Sequence, residues 1–149
     1  MSFDLAKSIQ NYLATGKVEG LPNALFMEGQ SVAAESRQVM PTWDPGMGRV
    51  FSEFAAGQAE DVDRAVSSSQ KALKGEWSRF TPSQRGKLLR NVAELIRKNA
   101  DRLSFVEALD SGKRLDEAMG DVAGAANCFD YYAGACDKYQ GISIPLGPD

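Results

Sequence analysis

The last third of the chain carries the longest helical pattern in the sequence, and this pattern limits the possible folds most. It predicts one helix from about Leu115 to Tyr139, roughly 35–40 Å long at 1.5 Å per residue. Its apolar positions alternate in steps of four and three: Leu115, Met119, Val122, Ala126, Phe129, Ala133 and Cys136. Small residues crowd the first half of the helix, and each glycine there costs about 1 kcal/mol against alanine. A helix of this kind is expected to be buried on several sides.

Three further helices are predicted between residues 58 and 112. The first follows the spacing of Val62, Val66 and Leu73, and Gly75 ends it. The second opens with a capping box from Thr81 to Gln84, with Pro82 in the first turn. Asp101 is expected to cap a shorter helix that ends at Gly112. Basic side chains on the second helix predict a solvated outer surface: Arg85, Lys87, Arg90, Arg97 and Lys98.

A β region is predicted before these helices. Residues 24–33 indicate two short strands around a Glu28-Gly29 turn. Residues 37–54 indicate two more around Asp44-Pro45-Gly46-Met47-Gly48, because proline presets a turn and glycine accepts positive φ. The fold class is therefore mostly α-helical, with three long helices plus a short one. A small antiparallel β-hairpin region and a C-terminal strand beginning at Ile142 complete it.

Residues 1–22 are predicted to form an N-terminal extension, separate from an incomplete domain over residues 23–149. Phe3, Leu5, Ile9 and Leu13 indicate a short amphipathic helix that ends near Gly16. Two interpretations of this helix stay open. It either docks onto the rest of the protein or a partner, or it is a frayed terminus.

Composition excludes several functions. The sequence has no histidine, which removes Ser-His-Asp triads, Cys-His pairs and imidazole metal ligands. A net charge of −3 and a pI near 5.1 argue against nucleic-acid binding. No apolar run approaches the ~20 residues that span a bilayer. We expect a cytoplasmic protein with no membrane partner.

Individual chemical groups have plain interpretations. Cys128 and Cys136 fall in one predicted helix about 12 Å apart, too far for a disulfide, and we expect small buried hydrophobes. Glycine-rich nucleotide motifs are absent from the sequence. Glu107 and Asp110 share a helical face, but no nucleophile accompanies them for acid–base work. The four aromatic residues of the last helix predict core and interface packing: Phe129, Tyr131, Tyr132 and Tyr139.

An ordered series of motifs supports a resemblance. The stretches EALDSGK (107–113), DYYAGACDKYQG (130–141) and IPLGPD (144–149) occur in that order, after DPGMGRVFSEF (44–54) and WSRFTPSQRGKLL (77–89). From about residue 26 to 149 the chain resembles the N-terminal region of the aldehyde dehydrogenase superfamily. The resemblance implies part of an α/β oxidoreductase fold that converts aldehydes to carboxylic acids with NAD or NADP.

In that family the catalytic cysteine and glutamate and the glycine-rich cofactor turn come later in the sequence. The resemblance therefore implies a truncated scaffold without catalytic or cofactor-binding residues of its own. Its partners would be the remainder of the dehydrogenase fold or another subunit, and the complete protein would be a homo-oligomer. The alternative is a stand-alone helical module, retained for binding or regulation.

The resemblance also implies one metal site. In several family members the aspartate of the LD-x-GK motif, here Asp110, helps to hold a monovalent cation with two backbone carbonyls, here those of Thr42 and Trp43. Hard oxygen ligands suit such an ion. The following turn usually begins with Asn-Pro in the family, whereas this chain has Asp44-Pro45. The alternative is that Asp110 accepts bonds from backbone amides near a helix end.

Overall fold

A computed structural model describes residues 3–142. It contains five α-helices, one short 3-10 helix and four strands in two hairpins. In chain order the elements are α1 (Leu5–Thr15), β1 (Leu25–Met27), β2 (Gln30–Val32), β3 (Val39–Asp44), β4 (Arg49–Ala55), α2 (Ala59–Lys74), the 3-10 helix (Glu76–Arg79), α3 (Pro82–Lys98), α4 (Ala100–Ser111) and α5 (Leu115–Ala135). The predicted mostly helical fold with a small antiparallel region is confirmed. The predicted strand at Ile142 lies outside the described residues, apart from Ile142 itself.

The two hairpins form as the turn residues predict. Strand β1 pairs antiparallel with β2 through a turn in which Glu28 and Gly29 both have positive φ. Two successive residues at positive φ are typical of the hairpin turn whose twist matches that of the strands. Strand β3 pairs antiparallel with β4, with a register shift between Thr42 and Trp43. This second hairpin packs against α4.

Helix ends follow local chemistry. Thr81 and Gln84 form the predicted capping box, and Pro82 occupies the first position of α3. Gly16 and Gly112 end α1 and α4 in the left-handed conformation. One cap was predicted wrongly, because Asn99 precedes α4 and Asp101 lies in its first turn. An aspartate in that position still complements the positive end of the helix dipole.

The core forms where α1, β4 and α4 meet. Tyr12, Phe51 and Phe105 are each no more than 4% exposed. Partly buried side chains surround them: Leu5, Ile9, Val18, Leu21, Val106 and Leu109. Helix α1 is therefore docked, not frayed, and it contributes an aromatic residue to the core.

Helix α5 packs against both α3 and α4. Its buried positions are Ala118, Val122, Ala126 and Ala133, while Met119 and Phe129 are 39% and 36% exposed. The predicted seam is therefore wrong at Met119 and Phe129: small residues face the neighbouring helices because the backbones approach closely. An added Cβ on Gly86 of α3 would lie 2.6 Å from the Ala133 carbonyl oxygen. The helix also ends at Ala135, short of the predicted Tyr139.

Helix α2 stands apart from this helical group. Its main helical contact is with the 3-10 helix that directly follows it. Asp61, which is 2% exposed, joins the N-terminus of α2 to the segment after β2. Its carboxylate accepts the backbone N–H groups of Gln58 and Glu35 at 3.0 and 3.1 Å. The apolar stripe of α2 is left exposed, with Val62, Val66 and Leu73 at least half accessible.

Candidate functional site

The end of β3 lies beside the C-terminal end of α4, so Thr42 and Trp43 of β3 come close to Asp110 of α4. The Thr42 hydroxyl donates to Oδ1 of Asp110 at 2.5 Å. Asp110 therefore accepts from a side-chain hydroxyl, and no bond from a backbone amide accompanies it among the described residues. Trp43 follows in the strand with its indole about half exposed. The structure thus places all three predicted residues around the same strand end.

Gly112 fixes the turn closely against α4. It has a φ of +71°, and an added Cβ would lie 2.7 Å from Cγ of Pro45. Glycine is therefore required here both for its backbone conformation and for the close approach. The LD-x-GK motif and the turn that begins at Asp44 meet at this contact.

A buried polar cluster on the other side of the turn was not predicted from the sequence. Asp44 is 5% exposed, and its Oδ1 accepts the backbone N–H groups of Gly46 and Met47 at 2.7 and 3.1 Å. Its Oδ2 accepts the hydroxyl of Tyr12 from α1. Arg49 donates to the hydroxyl and carbonyl oxygens of Tyr12 at 3.3 and 3.1 Å, and its guanidinium lies 4.6 Å from the ring centre.

The Tyr12–Asp44–Arg49 cluster shifts two ionisations. The hydrogen bond from Tyr12 lowers the pKa of Asp44, and the turn amides and Arg49 act in the same direction. Burial raises the pKa of Tyr12, and its hydrogen bond to Asp44 adds to this. The cluster thus pairs a carboxylate with a protonated phenol and a guanidinium. Nothing in the spacing of three residues on α1, β3 and β4 signals this arrangement in the sequence.

Glu107 and Asp110 do not form an acid–base pair. Glu107 accepts from Nζ of Lys113 at 2.6 Å, and Asp121 of α5 accepts from the same nitrogen at 2.7 Å. The bonds to Asp121 and Glu107 raise the pKa of Lys113, so it stays charged. This ion triad ties the end of α4 to α5 and engages Glu107.

The cysteines and aromatic residues lie in unexpected surroundings. Both thiols are free as predicted, but Cys128 is exposed, which corrects the expectation that it is buried. Tyr131, Tyr132 and Tyr139 are 73%, 59% and 97% exposed, so they lie outside the core of the described residues, and the interface packing expected of them stays a prediction. The side of α5 that packs against α3 and α4 is occupied mainly by alanines, and Tyr131 and Tyr132 lie on its exposed side.

Two basic residues of α3 are engaged and do not form a purely solvated surface. Arg85 stacks on Trp77 at 4.9 Å from the ring centre and donates to the Trp77 carbonyl oxygen at 3.3 Å. Arg97 donates to Asn127 and Asp130 of α5 at 3.0 and 2.6 Å. Both therefore fasten α3 to a neighbouring segment, which corrects the sequence prediction for these two positions.

Among residues 3–142, no three His, Cys, Asp or Glu side chains group as a metal site would require. Over the same range, no helix is long and apolar enough to cross a bilayer. A hollow of about 410 Å³ lies beside the Tyr12–Asp44–Arg49 cluster, between α1 and α4, and its lining is mainly apolar. Its polar groups include Asp44 and Lys113, both committed to the bonds described above.

Comparison with solved structures shows which known proteins have a similar fold. The fold is similar to that of HpcC from Thermus thermophilus, with a TM-score of 0.84 and 32% identity over 95% of this chain and 27% of that one. It is also similar to a betaine aldehyde dehydrogenase from Staphylococcus aureus solved with NAD+, with a TM-score of 0.79 and 31% identity over 85% of this chain and 26% of that one. The architecture is thus one found in α/β dehydrogenases.

The sequence comparisons agree. The model of the aldehyde dehydrogenase family matches residues 31–149. An aldehyde dehydrogenase of Davidiella tassiana is 38% identical over 135 residues, which are 91% of this chain and 27% of the relative. The chain belongs to the aldehyde dehydrogenase family. It spans about a quarter of the length of the relatives it matches.

Proposed function

We propose that these residues are the N-terminal scaffold of an NAD(P)-dependent aldehyde dehydrogenase, and that they support catalysis without performing it. The observation that carries the proposal is a pair of exposed apolar surfaces in a chain that belongs to this family: Val62, Val66 and Leu73 on α2, and Met119, Phe129, Tyr131 and Tyr132 on α5. In the complete enzyme, the remainder of the dehydrogenase fold or another subunit covers these surfaces. The enzyme is a cytoplasmic homo-oligomer that oxidises an aldehyde with NAD or NADP.

The α2 surface supports this proposal through its pattern. Val62, Val66 and Leu73 follow helical spacing and are between 50% and 62% exposed. An amphipathic helix in a globular protein turns such a stripe toward a core. Within the described residues no element covers the stripe, so its partner is expected in the rest of the enzyme.

The α5 surface supports the proposal through its shape. Added Cβ atoms on Gly120 and Gly124 would meet nothing within 4 Å among the described residues. Each glycine costs about 1 kcal/mol of helix propensity against alanine. A closely approaching backbone from the rest of the enzyme would account for glycine at both positions.

Purified residues 1–149 are expected to show no NAD(P)-linked oxidation of any aldehyde. The chain has no histidine to activate either free thiol, Asp110 is bonded to Thr42, and Glu107 is paired with Lys113. The measurement is NAD(P)H formation at 340 nm over a panel of aldehydes, with a longer polypeptide continuing past Asp149 as the positive control. Turnover by contaminant-free residues 1–149 would contradict the scaffold proposal.

We also propose that Asp110, with the carbonyls of Thr42 and Trp43, helps to hold a structural monovalent cation. The donor set fits such an ion, because it offers hard oxygens and a single carboxylate. Thr42 and Asp110 already lie together at the strand end, which supports the assignment. The Thr42 hydroxyl would keep one carboxylate oxygen oriented while the other faces the ion.

Rubidium soaked into crystals of the complete enzyme is expected to give anomalous density beside Asp110, and Asp110→Asn is expected to abolish it. Lys87→Gln, an exposed change on α3, is the matched control and should leave the density in place. Density that is absent in the unaltered enzyme would rule out the cation.

A further inference from the structure

The β3–β4 turn is held from two sides by different parts of the chain. On the α4 side, Thr42 donates to Asp110 at 2.5 Å and Pro45 packs on Gly112. On the α1 side, Asp44 accepts the hydroxyl of Tyr12. The strand end that presents the candidate cation ligands therefore lies between two helices.

The two carboxylate oxygens of Asp44 have separate roles. Oδ1 caps the turn through Gly46 and Met47, and Oδ2 accepts from Tyr12. An asparagine could keep the first role with its carbonyl oxygen, but its NH₂ group cannot accept the phenol proton. The second carboxylate oxygen of Asp44 is thus the feature that bonds α1 to the turn.

Arg49 completes the attachment from β4. It donates to two oxygens of Tyr12 and lies over its ring. An added Cβ on Gly16 would lie 3.0 Å from Nη1 of Arg49, so the end of α1 also rests on this guanidinium. The positive charge of Arg49 also lowers the pKa of Asp44, while its hydrogen bonds go to Tyr12.

We infer that Tyr12 and Arg49 are positioning residues: acting through Asp44, they fix the end of β3 so that Thr42 meets Asp110. Thr42 and Asp44 are two residues apart in β3, and the pairing of β3 with β4 shifts register between Thr42 and Trp43. A displacement of Asp44 is transmitted to Thr42 because only one residue separates them in an extended backbone. The inference concerns the same ligands as the proposed cation site and rests on that proposal for its functional meaning.

A double-mutant cycle in the intact protein tests the inference. Tyr12→Phe and Thr42→Val each remove one hydroxyl, and native-state hydrogen exchange reports the protection of the backbone amides of residues 43–48 other than Pro45, which has none. Each single variant is expected to lower protection by roughly five-fold, as the loss of one hydrogen bond does. If the two contacts depend on each other, the double variant loses at least three-fold less than the product of the single effects.

A matched pair provides the control. Arg97→Gln removes bonds between α3 and α5, and its effect at residues 43–48 should multiply independently with that of Tyr12→Phe. A purely local role for Tyr12 would make its cycle with Thr42→Val equally multiplicative, which would overturn the inference.

Asp44→Asn is the second variant and replaces Tyr12→Phe in the cycle if that protein fails to fold. It keeps the turn cap and loses the acceptor for Tyr12, so it should reproduce the Tyr12→Phe effect at residues 43–48. It should add less than two-fold in the Tyr12→Phe background. Unchanged protection in Asp44→Asn would overturn the inference. No cation, cofactor or substrate enters these measurements, so their failure leaves the dehydrogenase and cation proposals standing.

Discussion

Phe105→Ala is expected to lower the free energy of unfolding by about 3–5 kcal/mol, the cost of emptying an aromatic site in a core. Phe105 is 4% exposed and contacts Tyr12 edge-on, with ring centres 6.4 Å apart. It lies in the cluster that joins α1, β4 and α4, so its truncation removes apolar contacts from all three elements. Urea denaturation followed by circular dichroism measures the change.

Phe129→Ala is the matched control for this variant, since it removes the same side chain from α5. Phe129 is 36% exposed, and its loss should cost about 1 kcal/mol or less. Equal costs for the two variants would show that the Tyr12–Phe51–Phe105 cluster is not the centre of stability. Phe105→Leu should fall between them, because most of the apolar volume is kept.

Gly86→Ala is expected to destabilise the protein by about 2 kcal/mol, even though alanine is the better helix former. Its Cβ would lie 2.6 Å from the Ala133 carbonyl oxygen, and a backbone atom of α5 cannot rotate away as a side chain can. Helices α3 and α5 would have to separate, which would also disturb the bonds from Arg97 to Asn127 and Asp130.

Gly124→Ala tests the same substitution on an open surface. Its Cβ would meet nothing within 4 Å among the described residues, so the variant should be more stable by about 1 kcal/mol in residues 1–149. Opposite signs for the two glycines, read from thermal denaturation, are the expected result. Destabilisation by both would mean that close packing at Gly86 is not the cause.

The sequence correctly predicted helix caps and turns that depend on neighbouring residues. The capping box at Thr81 and Gln84 forms, as does the Glu28-Gly29 turn, because each is decided by residues within a few positions. Gly16 and Gly112 end their helices for the same reason. The resemblance at the LD-x-GK motif predicted that Asp110 lies near Thr42. It predicted a role for the Thr42 carbonyl, whereas the observed contact is made by the Thr42 hydroxyl.

Features that depend on distant residues were not predicted. The sequence pattern predicts Met119 on the buried face of α5, because it is the larger apolar residue. In the structure Ala118 is buried instead, because closely packed helices leave room only for a small side chain. Cys128 was expected inside on average burial statistics, but no described element covers its side of α5. The bond from Tyr12 to Asp44 joins residues 32 positions apart, and no periodicity records such a pairing.

We propose that the exposed surfaces of α2 and α5 are covered by the remainder of the dehydrogenase fold in the complete enzyme. Binding of 1-anilinonaphthalene-8-sulfonate by purified residues 1–149 tests it most directly, with the Val62→Ser/Val66→Ser variant as the matched control. We predict bright dye fluorescence and association for the unaltered chain, a weaker signal for the variant at an unchanged melting temperature, and little signal from a longer polypeptide that includes the rest of the fold. A monomer of residues 1–149 that binds no dye would contradict the claim and favour a stand-alone helical module.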